Sequence, residues 1–333
     1  MKVAIVMNAG AGSIGRERCE QCMGEILAAC AEAGLEATVA LCEPEHVAAT
    51  TRAVARSGVD CVIAAGGDGT VSTVAAGLVG GDVPLAVLPL GTLNHFARDL
   101  GVPAELGRAA RAIATGRVAR IDVGDLDGRT FVNNSSIGLY PEIVIQRDED
   151  RRVTGRSKAR AMLVACARVL RRFPLLHVRI GTDRGVLRAQ TPFVFVGNNV
   201  YSIDILRLGR RRALDRGELC LYMIRSTTRA RMFWLMVRAS LQRLRAVKDF
   251  EAHLVREAVV YTGRHHLEVA LDGEVVRMTP PLHYRIRPRA LPVIVPPPEL
   301  ATRVDDRVDD LADDRADERD RDDAGRVDGA ASA

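Results

Sequence analysis

A short apolar stretch that runs into a glycine-rich turn constrains the fold of this chain more than any other feature. Residues 61–65 (CVIAA) are apolar and few enough to form one buried strand, GGDGT follows at residues 66–70, and a helical pattern occupies residues 71–78. Glycine lets backbone N–H groups approach an anion closely, and the positive end of the next helix points to the same place. The stretch therefore predicts a phosphate-binding turn, although an unliganded turn between a strand and a helix has a similar composition.

A second strand and loop make the pattern more specific. Residues 84–88 (PLAVL) predict another buried strand, and residues 89–101 continue as PLGTLNHFARDLG. Together with GGDGT, this block resembles the diacylglycerol kinase catalytic-domain family, which includes bacterial lipid kinases and the sphingosine and ceramide kinases. GGDGT alone is shared with NAD kinases, whereas the second block is similar to the lipid kinases.

Composition and charge limit the class of partner. Aromatic residues make up 4% of the chain, too few for a platform that stacks nucleic-acid bases, so we expect no nucleic-acid partner. Residues 301–333 hold 12 acidic and 6 basic residues, which leaves a net charge of +11 on the rest against +5 for the whole chain. A basic body favours anionic partners such as nucleotides and acidic lipid headgroups.

Cysteine content and hydropathy bear on the compartment. The seven cysteines are odd in number and lie mostly within apolar patterns, which indicates reduced thiols in the cytoplasm. The sequence shows neither a signal peptide nor an apolar run as long as a membrane span. We therefore expect a cytoplasmic protein that meets the inner face of the membrane only at its surface.

The first loop offers a competing interpretation. Residues 2–7 predict a buried strand, and residues 10–15 spell GxGxxG, the fingerprint of dinucleotide-binding folds. Asn8 and Ala9 separate this strand from the first glycine, and the fingerprint leaves GGDGT and PLGTLN without a role. An NAD(P)-binding oxidoreductase is therefore kept as an alternative.

Strand and helix patterns predict two domains and a tail. Strands alternate with helices over residues 1–122, which favours an α/β nucleotide-binding domain with a parallel sheet and flanking helices. Residues 123–298 contain many short strands, which favours a mostly antiparallel domain, and the family resemblance implies a lipid-binding β-sandwich. Residues 299–333 lack apolar periodicity and predict a disordered acidic and arginine-rich tail.

Two basic segments interrupt the predicted strands, at residues 151–172 and 228–248. Each combines arginines with an apolar run, and the second contains Trp234. Both patterns fit amphipathic helices at a membrane surface, and they fit equally well a helix packed on the sandwich. In the first interpretation the two helices bind anionic phospholipids.

The resemblance implies a site for ATP built from three loops. In the family an Asn-Pro and glycine loop covers the nucleotide, and residues 8–12 resemble it with alanine in place of the proline. The hydroxyl of Thr92 is a candidate phosphate ligand, and Asn94 either caps the next helix or bonds Asp68. The implied nucleotide-binding residues are Asn8, Ala9, Gly10, Ala11, Gly12, Gly66, Gly67, Asp68, Gly69, Thr70, Thr92 and Asn94.

Phosphoryl transfer also needs a divalent metal, here Mg²⁺, and a group that deprotonates or orients the attacking hydroxyl. The resemblance continues through residues 133–139 (NNSSIGL), 196–199 (VGNN) and 270–275 (ALDGEV). Bacterial members are usually assigned the base that corresponds to Glu274, with Asp272 beside it, whereas the sphingosine kinase branch favours Asp68. We predict Glu274 as the base, with Asp68 and Asp272 arranging metal or hydroxyl. Asp272-Gly273 is also a hairpin-turn signal.

Two departures from the family pattern bear on activity. Ser72 and Thr73 replace the Asn and Glu that usually follow GGDGT in the family. A structural Mg²⁺ of the bacterial members uses the Asp of a DGxL turn, and Arg216 stands in the expected place here. Because a cation cannot ligate Mg²⁺, either Asp215 substitutes as the metal ligand or that site is absent.

The sequence as a whole predicts an ATP-dependent kinase that phosphorylates a primary hydroxyl of a diacylglycerol-like or sphingoid lipid at a membrane surface. Three alternatives stay open. They are an NAD kinase-like enzyme, the oxidoreductase, and a catalytically weak lipid-binding module motivated by Thr73 and Arg216. A homodimer is compatible with the sequence, which does not fix the oligomeric state.

Overall fold

Apolar strands that alternate with helices form the first layer of the computed structural model. The structure describes residues 1–8, 16–138, 175–204, 207–211, 213–224 and 250–302. The two predicted basic helices, residues 9–12 of the nucleotide site, and the tail from residue 303 lie outside the described residues.

Four parallel strands open the chain, in the sheet order β2-β1-β3-β4. The strands are β1 (Lys2–Asn8), β2 (Glu36–Cys42), β3 (Cys61–Gly66) and β4 (Leu85–Pro89). The helices are α1 (Arg16–Glu32), α2 (Val47–Ala55), α3 (Asp68–Leu78), α4 (His95–Asp99) and α5 (Leu106–Thr115), with one 3₁₀ turn at Pro44–His46. All six residues of β3 are buried, as expected of a central parallel strand covered on both faces. Helix α1 packs with α5, and α2 packs with α3.

The second half of the described chain consists of strands. These are β5 (Arg117–Leu126), β6 (Arg129–Phe131), β7 (Asn134–Gly138), β8 (Leu176–Thr182), β9 (Gly185–Thr191), β10 (Phe193–Asn198), β11 (Tyr201–Asp204), β12 (Arg207–Arg211), β13 (Leu219–Ile224), β14 (Phe250–Val255), β15 (Glu257–Thr262), β16 (Leu267–Leu271), β17 (Glu274–Met278) and β18 (Leu282–Val295). One sheet is antiparallel in the order β14-β13-β10-β7-β16-β17, and β11 and β12 form a separate hairpin.

A second apolar core lies between the antiparallel sheet and the layer that contains β5, β8, β15 and β18. Ile137, Val194 and Leu221 of the antiparallel sheet pack in one buried cluster with Val260 and Tyr284 of the other layer. The predicted fold class, a parallel α/β layer followed by an antiparallel sandwich, is therefore confirmed.

Strand β18 connects the two parts of the fold, which sequence analysis did not predict. It pairs with β15 and β5 in antiparallel fashion, and near its end Val293 pairs with Leu85 of β4 in parallel. The parallel strands and one sandwich layer therefore form a single ten-stranded sheet. The predicted domain boundary at residue 122 falls inside β5, and it stays a prediction.

Within the ranges that the structure describes, no helix combines the length and the apolar character needed to cross a bilayer.

Candidate active site

The carboxyl ends of neighbouring parallel strands bring the predicted nucleotide loops to one edge of the sheet. Gly66 at the end of β3 pairs with Pro89 at the end of β4, and the β1–β3 register places Asn8 at the same edge. The N–H of Leu90 donates a hydrogen bond of 3.1 Å to the Gly66 carbonyl. The GGDGT and PLGTLN loops are thus neighbours, at the edge where open α/β sheets bind ligands.

The two loops touch through their backbones. A Cβ atom on Gly91 would lie 2.6 Å from the Cα of Gly67, so a side chain there would force the loops apart. Helix α3 begins at Asp68, directly after this contact, and its first N–H groups have no partner within the helix. Unpaired N–H groups and the positive end of a helix are the features that can bind an anion, and both lie between the two loops.

The side chain of Asn94 makes neither of the two bonds considered for it. It occupies the N-cap position of α4 with a left-handed backbone (φ 49°), but its side chain makes no capping bond. Instead its Oδ1 accepts a 3.0 Å bond from the Gly91 N–H, and its Nδ2 donates a 2.7 Å bond to the Gly91 carbonyl. Asn94 therefore closes its own loop, in which Thr92 is exposed.

The side-chain hydrogen bond to the start of α4 comes from Asp68 and not from Asn94. Its Oδ1 accepts a 3.3 Å hydrogen bond from the N–H of Phe96, in the first turn of α4. Such an N–H group at the start of a helix is commonly satisfied by a side-chain oxygen of Asp, Asn or Ser. The half-buried Asp68 therefore joins the start of α3 to the start of α4, a structural role that sequence analysis did not foresee.

Asp272 lies in the predicted hairpin turn and is also held firmly at the site. It has φ 48° and Gly273 has φ 92°, the left-handed pair of a tight turn between β16 and β17. The Asp272 carboxylate accepts bonds of 2.8, 2.8 and 3.0 Å from the N–H groups of residues 132, 133 and 134. It also accepts a bond from the hydroxyl of Ser72 in α3. The Asp272-Gly273 turn therefore closes the hairpin of β16 and β17 and also bonds that hairpin to helix α3.

Burial raises the pKa of the Asp272 carboxyl, and the bonds from Ser72 and the backbone N–H groups oppose that rise. Ser72, which replaces the family's Asn, thus retains a polar contact to the second domain. Thr73, which replaces the family's Glu, bonds the Gly69 carbonyl in its own helix at 2.9 Å. Ser72 therefore keeps an interaction with the site, whereas the Thr73 hydroxyl bonds a carbonyl within its own helix α3.

Glu274 begins β17 and brings a second carboxylate to the GGDGT loop. A Cβ atom built on Gly69 would lie 3.2 Å from Glu274 Oε1, so the carboxylate lies against the first turn of α3. Glu274 is exposed at the surface, and desolvation by the neighbouring loops, followed by the negative charge of Asp272, raises the pKa of its carboxyl. A carboxylate with a raised pKa beside a phosphate site has the character of a general base.

A buried ion pair near the site escaped sequence analysis. Asp99 at the end of α4 and Arg211 at the end of β12 are 2.8 Å apart, with side-chain exposures of 5% and 0%. Arg211 also donates from Nη2 to Asn133 Oδ1 at 3.0 Å and from Nη1 to the carbonyls of residues 132 and 198. It therefore connects α4 with the segment that binds Asp272. Nothing local distinguishes Arg211 within the run Arg210–Arg212.

The turn that was compared with a structural Mg²⁺ site is held by protein groups. Asp122, fully buried in β5, accepts hydrogen bonds from the N–H of Gly217 at 2.6 Å and from the N–H of Arg289 at 2.8 Å. The Arg216 N–H donates to Asn199 Oδ1 at 3.1 Å, and Asp215 is exposed. Among the described residues no three His, Cys, Asp or Glu side chains cluster as a metal site. Asp215 as a metal ligand stays a prediction.

Comparison with known proteins agrees with this arrangement. Residues 2–126 match the diacylglycerol kinase catalytic domain. A diacylglycerol kinase of Bacillus subtilis strain 168 is 28% identical over 313 residues, covering 88% of this chain and 96% of that protein. A "Probable lipid kinase YegS-like" of Citrobacter koseri is 40% identical over 97 residues, 28% of this chain and 32% of that protein.

A crystal structure of a diacylglycerol kinase from Bacillus anthracis strain Sterne has the same fold. It superposes with a TM-score of 0.62 at 21% identity, covering 90% of this chain and 98% of the other. The loops, the spacing and the matched domain agree on one assignment. Residues 2–126 therefore belong to the diacylglycerol kinase catalytic-domain family, a family of lipid kinases.

Proposed function

We propose that the protein transfers the γ-phosphate of ATP to a primary hydroxyl of a diacylglycerol-like lipid, with a sphingoid lipid as the second candidate. The observation that carries the proposal is the position of Glu274 Oε1 against Gly69, next to the anion site between the two loops. A base at this place can reach a hydroxyl that attacks a phosphate bound there.

Glu274 and Asp272 have different roles in the proposed phosphoryl transfer. The lipid hydroxyl loses its proton to Glu274 as its oxygen bonds the γ-phosphorus, and the bond from that phosphorus to the bridging oxygen breaks to release ADP. The raised pKa of Glu274 makes it a stronger base than an ordinary carboxylate. Asp272 keeps its bonds to Ser72 and to the N–H groups of residues 132–134, and so fixes the hairpin that carries Glu274.

The carboxylates present fit a Mg²⁺ ion that arrives with the nucleotide. Mg²⁺ usually takes one or two protein carboxylates and completes its shell with phosphate oxygens and water. Asp68 lies at the start of α3 and engages one oxygen with Phe96. Asp68 would hold the ion, which would screen the charge of the phosphates when bound.

An apolar acceptor suits the surroundings of the loops better than a second nucleotide. Leu90 and Leu93 in the PLGTLN loop are exposed by 39% and 58%. Exposed leucines beside a phosphate site favour an acyl chain over the polar groups of NAD. The oxidoreductase alternative rests on Gly10, Gly12 and Gly15, outside the described residues.

The test is a transfer assay with purified protein, labelled ATP and Mg²⁺. Diacylglycerol, ceramide and sphingosine are offered in mixed micelles, and NAD is offered in solution. Label in a lipid product supports the proposal, and label in NADP with none in lipid replaces it with the NAD kinase alternative. Heat-inactivated protein and the Glu274→Gln variant are the controls.

We further propose reversible attachment to anionic membranes through the basic segments 151–172 and 228–248. The net charge of +11 outside the tail motivates this, since each basic residue near an anionic surface contributes on the order of 1 kcal/mol. Sedimentation with phosphatidylglycerol vesicles that salt reverses would support it. Equal sedimentation with phosphatidylcholine vesicles would point to apolar insertion instead.

A further inference from the structure

Two arginines face each other at the far edge of the ten-stranded sheet. Arg179 of β8 pairs directly with Arg188 of β9, and β9 is the last strand of that sheet. Both residues are exposed on the side away from the sandwich core, because Val178 and Ile180 beside Arg179 are buried in that core. Like charges directly opposite each other on neighbouring strands are destabilising. The stability of the sheet therefore does not account for this pair.

No carboxylate compensates the two charges. Within the described ranges, neither arginine of the pair has an acidic partner, whereas other exposed arginines of the same half of the chain do. Arg184 binds Glu218 at 2.8 Å, and Arg285, on the same side of the sheet, binds Asp125 at 3.2 Å. The two facing guanidinium groups thus leave an uncompensated positive charge at one place on the surface.

A groove of about 510 Å³ lies along the two arginines, and we call it the arginine groove. Tyr261 of β15 pairs with Arg179 on the side opposite Arg188, and its ring centre lies 5.5 Å from the Arg179 guanidinium carbon. This cation–π contact orders the guanidinium. Its N–H groups bond no acceptor among the described side chains, so they are available to a ligand in the groove.

The next cross-strand pair adds two further donors to the same groove. His177 of β8 pairs with Gln190 of β9, and both residues are exposed and line the groove. This pair lies about 7 Å along the strands from the two arginines, and partners within each pair are about 5 Å apart. None of the residues that line the groove is acidic. The groove therefore offers N–H donors at four positions around a space that suits an acceptor with several oxygens.

The arginine groove is separate from the candidate active site. Strand β18 begins next to β15, where Leu282 pairs with Val260, one residue before Tyr261. The same strand ends next to β4, where Val293 pairs in parallel with Leu85 at the start of β4. The nucleotide loops follow the carboxyl end of β4 and so lie beyond that end of β18. A ligand in the groove would therefore not compete with a nucleotide.

We infer that the arginine groove binds the phosphate group of a soluble ligand, inorganic phosphate or a phosphomonoester. Guanidinium groups bind phosphate oxygens through pairs of parallel hydrogen bonds, and the negative charge of the phosphate removes the repulsion between Arg179 and Arg188. A phospholipid headgroup offers the same chemistry. The distance of the groove from the loops at which a lipid hydroxyl must react favours the soluble source. The inference does not depend on the proposed kinase function.

Equilibrium dialysis with labelled inorganic phosphate tests the groove, at saturating ADP so that the nucleotide loops are occupied. Wild type should bind phosphate that glycerol 3-phosphate displaces. Arg179→Gln and Arg188→Gln should each weaken this binding by about tenfold or more, the effect of losing a hydrogen bond to a charged group. Arg285→Gln is the matched control and should bind as wild type does, because its arginine is exposed on the same side but already paired. The absence of bound phosphate, or an equal loss in Arg285→Gln, would overturn the inference.

Thermal denaturation tests the repulsion between the arginines. At low ionic strength and without phosphate, Arg188→Gln should have a higher Tm than wild type, because one of the two facing charges is gone. Phosphate should raise the Tm of wild type more than NaCl of equal ionic strength does, since NaCl only screens the charges. It should have no such effect on Arg188→Gln. A lower Tm of Arg188→Gln without phosphate would show that a protein group already compensates Arg188, and would contradict a vacant anion site.

Sedimentation with vesicles separates the two sources of phosphate. If the ligand is soluble, wild type and Arg188→Gln should sediment equally with phosphatidylglycerol vesicles. A loss of sedimentation in Arg188→Gln but not in Arg285→Gln, with no binding of soluble phosphate by wild type, would assign the groove to a lipid headgroup and overturn the soluble ligand.

Discussion

Asp99 and Arg211 form an ion pair of 2.8 Å between the end of α4 and the end of β12, with neither side chain more than 5% exposed. Asp99 accepts twice, from the Arg211 side chain and from its backbone N–H at 3.2 Å. The other donors of Arg211 reach Asn133 and two carbonyls, so its charge is paired and its N–H groups are used. The pair thereby connects the helix that Asp68 caps with the segment that binds Asp272.

Removing one member of this pair should be strongly destabilising. In Arg211→Met the Asp99 carboxylate loses its buried partner, and such losses amount to about 3–5 kcal/mol of the free energy of unfolding. Urea denaturation monitored by circular dichroism gives the value. Arg120→Met is the matched control, because the Arg120–Asp82 pair of 2.6 Å is exposed and should contribute nothing measurable. Similar losses in both variants would show that burial does not set the strength of the pair.

Asp68 should have separable roles in turnover and in folding. Asp68→Asn keeps an oxygen that can accept the Phe96 N–H but loses the charge, so turnover should fall by about 10²-fold or more while Tm stays constant. Asp68→Ala loses the acceptor as well and should also cost about 1 kcal/mol of stability, the value of a helix cap. A transfer assay and thermal denaturation of both variants measure this. Full activity in Asp68→Asn would remove the carboxylate from the mechanism.

The turn at residues 214–218 should depend on Asp122 and not on a metal. Asp122→Ala leaves the N–H groups of Gly217 and Arg289 without their acceptor and should cost about 1–3 kcal/mol for each buried group. Asp215→Ala, at an exposed position, should change stability by less than about 0.5 kcal/mol. Thermal denaturation with EDTA or Mg²⁺, without nucleotide, should give the same Tm for wild type. A rise with Mg²⁺ that Asp215→Ala abolishes would establish the metal ligand predicted from the sequence.

The parallel layer was predictable because its signals are local. Strands β1, β3 and β4 are runs of apolar residues that end at Asn8, Gly66 and Pro89, and the structure places their ends within about two residues of the predicted positions. The Asp272-Gly273 turn was equally predictable, since two consecutive left-handed residues are required there and the pair Asp-Gly accepts them.

The contacts that assemble the site were not predictable, because their partners are distant in the chain. Arg211 bonds residues 99, 132, 133 and 198, and only the folded sheet order brings these together. Strand β12 was missed because its sequence, RLGRR, shows no apolar alternation, and its partner β11 has only four residues, YSID. The sequence pattern predicts this last strand only over residues 283–288, because prolines at 288 and 292 interrupt it, whereas β18 continues to Val295 and its Val293 completes the parallel layer.

The pH dependence of turnover should identify Glu274 as the base. Only the deprotonated carboxylate can accept the hydroxyl proton, so kcat/KM should fall as the pH drops through the pKa of Glu274. Desolvation by the neighbouring loops and the charge of Asp272 raise that pKa, and the acid limb should therefore lie above about 4.3, the usual value for glutamate. Glu274→Gln should remove the limb and lower the rate of the chemical step by about 10²-fold or more.

Glu268→Gln provides the matched control for this experiment. Glu268 is exposed on β16 of the same hairpin, opposite Arg277, and its loss should leave both the rate and the acid limb unchanged. ATP affinity, measured by equilibrium binding, should be the same in wild type and in both variants, because a base acts on the acceptor and not on the nucleotide. A collapse of ATP binding in Glu274→Gln, with normal turnover of the nucleotide that still binds, would make Glu274 a ligand of the nucleotide or its metal instead of the base.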